Sequence, residues 1–161
     1  IRDERIMDDI KTDYLDDIDV LKVMERIPHR YPFLMIDRID NVVPYESAVG
    51  IKCVSIGEPH FQGHFPGKPV MPGVLIIESM AQTAGVMVVT SLGPESEGKL
   101  VYFMSIEEAK FRRPVVPGDR MEVHVVKKQN RGQVWKFRGE ARVDGKVVAE
   151  ATFSAMIRDK P

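Results

Sequence analysis

The stretch VLIIESMAQTAGVMVVTSL, residues 74–92, constrains this chain more than any other feature, because wound as a helix it is apolar on nearly all sides. At 1.5 Å per residue the helix would be about 28 Å long. A membrane span needs about 20 uninterrupted apolar residues, and Glu78, Ser79, Gln82 and Thr83 break this run near its start. All-round hydrophobicity then means burial by protein. The remainder of the chain must wrap around it.

The wrapping material is a set of strands. Segments 33–40, 47–55, 99–111, 120–129, 133–143 and 146–158 read as six strands, and the last two alternate most clearly. Trp135, Phe137, Ala141 and Val143 oppose Lys136, Arg138, Glu140 and Arg142, while Val147, Ala149, Ala151, Phe153, Ala155 and Ile157 share one face. One side of the sheet is therefore buried. Asp144-Gly145 is a two-residue hairpin signal, since a type I′ turn needs positive φ at both central positions; residues 130–132 serve the preceding pair. An antiparallel sheet and one wholly apolar helix satisfy each other if the sheet curls around the helix, which predicts an α+β fold.

The 161 residues suit one domain that buries roughly 70% of its unfolded surface. Disulfides are not needed for that, and the lone Cys53 excludes an internal pair and a four-thiolate zinc site, so a reducing, cytoplasmic location is expected. Residues 1–18 read as an acidic, poorly ordered leader, and residues 19–158 as the domain. Within residues 1–20 there are eight acids against three bases, a net of −5. After Asp19 as cap, Val20, Val23, Met24 and Ile27 recur at helical spacing until Pro28 stops the helix. Residues 110–138 carry nine bases against two acids, a net of +7. This marks either a site for an acidic partner or the solvated outer face of a sheet.

Chemistry is concentrated just before and inside the helix. GHFPGKPVMPG, residues 63–73, holds three prolines and three glycines in eleven residues, so its backbone is stiff at Pro66, Pro69 and Pro72 and permits close approach at Gly63, Gly67 and Gly73. Such a loop holds His64 still. It leads into helix amides around Gly73 and Val74, which lack intrahelical acceptors and sit at the positive end of the dipole, where an oxyanion can bind. Glu78 stands fourteen positions after His64 among Leu75, Ile76, Ile77 and Met80. Burial there would raise its pKa and suit it to donating a proton. Gln82 lies on the same helical face, within reach of Glu78 or of a water beside it. His60 and His64 form an H-x3-H pair, but Pro59, Gly63 and Pro66 argue against the helix that would make it chelating, and no metal site is expected. His29, His124 and Cys53 read as structural.

Three segments carry a resemblance: PHRYPFLMIDRI at 28–39, GHFPGKPVMPGVLIIESMAQTAG at 63–85 and KFRRPVVPGD at 110–119. Together they closely resemble the (3R)-hydroxyacyl-[acyl-carrier-protein] dehydratases of bacterial fatty acid synthesis, the FabZ type, over residues 19–157. The resemblance implies a hotdog fold, six antiparallel strands around a central helix, in homodimers that share active sites and often form trimers of dimers. It implies His64 and Glu78 as catalytic residues, Glu78 coming from the other subunit, with Gly73 and Val74 binding the thioester carbonyl and Gln82 near the acid. It further implies dehydration to a trans-2-enoyl thioester, an acyl carrier protein as partner, and no cofactor. Lys110, Arg112, Arg113, Lys127 and Lys128 are the expected docking residues for that acidic carrier. No nucleic-acid partner is expected. A related dehydratase that also isomerises the double bond has Asp where this chain has Glu78, so simple dehydration is the better match. The competing readings are a hotdog acyl-CoA thioesterase and a noncatalytic acyl-binding module.

Overall fold

A computed structural model describes residues 14, 15 and 18–161; most of the acidic leader lies outside the described residues. Helix α1, Val20–Arg26, is capped by the Asp19 carboxylate, which accepts the Lys22 amide at 3.0 Å. Its last carbonyls are met by Arg30, whose guanidinium donates to Met24 and Ile27. Six strands follow: β1 Arg38–Val43, β2 Ser47–Cys53, β3 Leu100–Phe111, β4 Arg120–Arg131, β5 Val134–Val143 and β6 Lys146–Arg158. They form one antiparallel sheet in the order β1-β2-β4-β5-β6-β3. Helix α2, Gly73–Leu92, packs against it, and residues 79–90 are all buried. This is the hotdog architecture. By length and composition α2 could cross a membrane, but 78% of its most apolar window is buried inside the protein.

Close approach of helix and sheet rests on two glycines. A Cβ on Gly50 of β2 would stand 2.2 Å from Thr83 Oγ1, and one on Gly139 of β5 would stand 2.6 Å from Met80 Sδ. Polar side chains inside the helix are satisfied locally: Ser79 donates to the Ile76 carbonyl and Thr83 to the Ser79 carbonyl. At the C-terminal end of α2, the buried guanidinium of Arg26 donates to Thr90 Oγ1 at 2.8 Å and lies 3.9 Å from the Tyr14 ring centroid. Burial pushes the Tyr14 phenol up to about 12.

Three details depart from the sequence reading. The first strand begins at Arg38 and not at Phe33, because the backbone of residues 33–35 is engaged elsewhere. Gln82 donates to the Phe33 carbonyl and accepts from the Met35 amide, so those groups cannot join a ladder. In β6 the register shifts between Ala141 and Arg142 of its partner, so Val148 joins Ala149 in the core while Val147 is only half-buried. The packed region also starts before Asp19: Ile18 is buried and bridges Ile39. Asp144 and Gly145 have φ of 51° and 75°, as the type I′ hairpin requires. The preceding hairpin turns at Gly132-Gln133, one residue later than expected, with Arg131 paired to Val134.

Candidate active site

His64 is held from both sides of its loop. Pro59–Gln62 forms a short 3-10 turn, and the His60 carbonyl accepts the amides of Gly63 and His64 at 3.3 and 3.1 Å. Beyond it, Val70 N–H donates to the His64 carbonyl at 2.9 Å. The imidazole closes the same ring of contacts, with Nδ1 2.7 Å from the Val70 carbonyl. A carbonyl only accepts, so Nδ1 carries the proton and a neutral His64 presents a bare Nε2. That is the form of a general base. The His64–Phe65 peptide is cis.

The start of α2 is left open. Pro72 precedes it with no side-chain cap, and the Pro72 carbonyl accepts from Leu75 and Ile76, leaving the Gly73 and Val74 amides without intrahelical acceptors. Gly73 lies against Phe111, whose ring would be 2.6 Å from a Cβ at this position. His64, Gly73, Val74, Phe111, Arg112 and Arg113 line one cleft of about 470 Å³. Imidazole and helix amides thus border the same space.

Glu78 does not line that cleft. It stands one turn beyond Val74, its side chain 13% exposed, and accepts a hydrogen bond from Gln82 Nε2 at 2.8 Å. Burial raises its pKa, and the Gln82 bond only partly offsets this. His29 Nε2 approaches Glu78 Oε1 at 3.5 Å, yet burial, helped by Arg30, lowers the His29 pKa. Burial thus pushes both partners toward their neutral forms, which weakens the ionic character of this contact. Both donors of Gln82 are spent, on Glu78 and on the Phe33 carbonyl. Its role here is to fix the acid and the 33–35 segment together.

His29, which reads as structural in the sequence, is the imidazole that stands beside Glu78. Its signal was the proline-flanked segment PHRYP, which places an imidazole beside the acid only after folding. His60 has a buried Nε2 without a hydrogen-bond partner and a pKa lowered by burial. Among the described residues, no group of three or more His, Cys, Asp or Glu side chains is arranged to hold a metal ion.

The basic residues fall into two places. Arg112 and Arg113 line the cleft, Arg112 paired with Glu150 at 2.9 Å, and Lys110 stands opposite Glu150 in register. Lys127 and Lys128 are on β4, which β5 and β6 separate from β3. Three strand spacings amount to about 14 Å.

Comparison with known proteins identifies the family of this chain. The FabA-like domain family matches residues 27–152. The 3-hydroxyacyl-[acyl-carrier-protein] dehydratase FabZ of Acidiphilium cryptum is 67% identical over 143 residues, covering 89% of this chain and 87% of that protein. The enzyme of the same name from Paramagnetospirillum magneticum is 66% identical over 143 residues, covering 89% of each. Among solved structures, the dehydratase heterocomplex ApeI:P from Xenorhabdus doucetiae aligns with a TM-score of 0.74 at 18% identity, covering 86% of this chain and 91% of that one. An uncharacterized protein from Pyrococcus horikoshii aligns at 0.62 and 15% identity, covering 84% and 93%. The two structures share the fold, and the sequence relatives fix the family: with its His64 loop, open helix start and buried Glu78, the chain belongs to the FabZ-type 3-hydroxyacyl-[acyl-carrier-protein] dehydratases of the FabA-like domain family.

Proposed function

We propose that two copies of this chain dehydrate (3R)-hydroxyacyl-[acyl-carrier-protein] by bringing His64 of one subunit to Glu78 of the other. The observation that carries this is the bare Nε2 of His64, fixed by the Val70 carbonyl at the mouth of the cleft that the Gly73 and Val74 amides also border. The thioester carbonyl accepts from the helix-start amides, which stabilise the charge that gathers on its oxygen as the α-proton leaves. His64 Nε2 takes that proton, the electron pair of the C–H bond becomes the new double bond, and the C–O bond breaks. Protonated Glu78 gives the departing hydroxyl its proton, so water and a trans-2-enoyl thioester leave. In an alternative division of labour His64 makes both transfers and Glu78 orients the water. No electrons are gained or lost overall, so the chemistry calls on no redox group.

Two observations support a shared site. Glu78 lies outside the cleft that holds His64 in its own chain. Among the described residues the edge strand β3 pairs only with β6, and it exposes Tyr102, Met104, Ile106 and Phe111, an apolar edge suited to pairing with a second copy. A trimer of such dimers is the expected larger assembly, acting in the cytoplasm. Mixing His64→Ala and Glu78→Gln subunits in equal amounts and allowing exchange tests the arrangement. Each mixed dimer regains one intact site, so activity returns to about a quarter of the parental level for a two-fold interface. No recovery would place both groups in one chain.

An acidic carrier protein brings the substrate, and Lys110, Arg112 and Arg113 beside the cleft are its proposed dock, with Lys127 and Lys128 as a remoter pair. Reversing the charge at Arg112 and Arg113 is expected to raise KM for carrier-bound substrate by about tenfold while leaving a small thioester analogue unaffected. Equal losses on both substrates would remove docking from their role.

A further inference from the structure

Among the described residues two charged side chains are buried, Arg26 and Lys52. Arg26 serves the C-terminal end of α2, far along the helix from the open amides. Lys52 is on β2, 4% exposed, and its ammonium contacts Glu58 Oε1. A buried ion pair is a poor source of stability, since desolvating the two charges costs about as much as their attraction returns. What it does provide is a fixed position. The second oxygen of Glu58 accepts the Ser55 amide at 2.9 Å, and the Glu58 amide donates back to the Ser55 carbonyl at 3.1 Å. The carboxylate is therefore held in two directions.

From Glu58 an unbroken series of backbone bonds runs to His64. The Glu58 carbonyl accepts the Phe61 amide at 3.3 Å, Phe61 is buried in the core, and the His60 carbonyl accepts both Gly63 and His64. Lys52 and Glu58 also lie within electrostatic reach of the His60 imidazole, which in turn senses His64. On its other side His64 is held by Val70, through both its backbone carbonyl and its imidazole.

We infer that Lys52 and Glu58 are positioning residues for His64: the buried pair sets the height of the 58–64 turn above the sheet, and with it the placement of the imidazole over the substrate. The inference rests on the proposed catalytic role of His64. Displacement of a base by about 1 Å costs up to about a hundredfold in rate.

The test is steady-state dehydration by the full-length chain with two variants. Lys52→Met/Glu58→Leu removes both charges together, so neither is stranded, and thermal stability should stay near the parent's. Turnover is nevertheless expected to fall at least about tenfold, with KM within about threefold of the parent's. Glu58→Asp keeps both charges but shortens the strut by one methylene, and is expected to lower kcat about fivefold with the melting temperature unchanged. Should the double variant fail to fold, Glu58→Asp decides alone. A kcat at the parental level, or a loss carried by KM, would overturn the inference. His64→Ala run in parallel separates the two layers: if it stays active, the catalytic reading falls, and if it is dead while Glu58→Asp is normal, only the strut falls.

Discussion

His64→Ala should lower kcat by about 10²- to 10⁴-fold, the range spanned by losing a positioned general base. The loss should be in turnover and not in binding, because the helix-start amides and the apolar walls of the cleft remain. Deletion of the ring also frees the Val70 carbonyl, which accepted Nδ1 at 2.7 Å. That carbonyl can turn to water, and His64 N–H and C=O keep their own backbone bonds to His60 and Val70. The fold should therefore survive. Following enoyl thioester absorbance with a 3-hydroxyacyl substrate measures it directly, and activity within tenfold of the parent would exclude His64 as the base. Release of free thiol in place of enoyl product would favour a thioesterase.

Glu78→Gln has the second large effect, and it acts in opposite directions on rate and stability. Turnover should drop by about a hundredfold if the carboxylic acid delivers the proton. Near-normal turnover would leave Glu78 at most a water-orienting role. Stability should rise. Burial holds the Glu78 pKa above its ordinary value, so the folded chain binds more protons than the unfolded chain in the window between the two values, and stability falls as pH climbs through it. Glutamine has no such penalty. The variant's advantage in melting temperature should be small in acid, below the unfolded carboxylate range, and grow as pH rises past the raised folded value. An advantage independent of pH would mean that it does not come from the carboxylate's ionisation.

Much of this molecule could be read from its residues because the deciding patterns are local. The apolar run of α2 requires a wrapping sheet, and alternation in β5 and β6 marks its inner face. What stayed hidden depends on contacts between distant segments. The late start of β1 follows from one amide, Gln82, taking two backbone groups 47 and 49 positions away. The burial of Val148 follows from a bulge, which a period of two cannot express. His29 becomes a neighbour of Glu78 only through that same fold, and Lys127 and Lys128 join the other bases in composition but not in space. For the site itself, the spacing of His64, Gly73 and Glu78 was visible in the residues, whereas the separation of Glu78 from the cleft of its own chain was implied only by the family resemblance.

The notches at Gly50 and Gly139 limit how this scaffold can adapt to longer hydrocarbon tails. With backbone seated almost directly on Thr83 and Met80, the central rod has no freedom to lift away from its cradle. In the proposed dimer, extra length for a tail would come from trimming side chains where the two subunits meet, so variants with altered chain-length preference should carry their changes there and leave both notches intact.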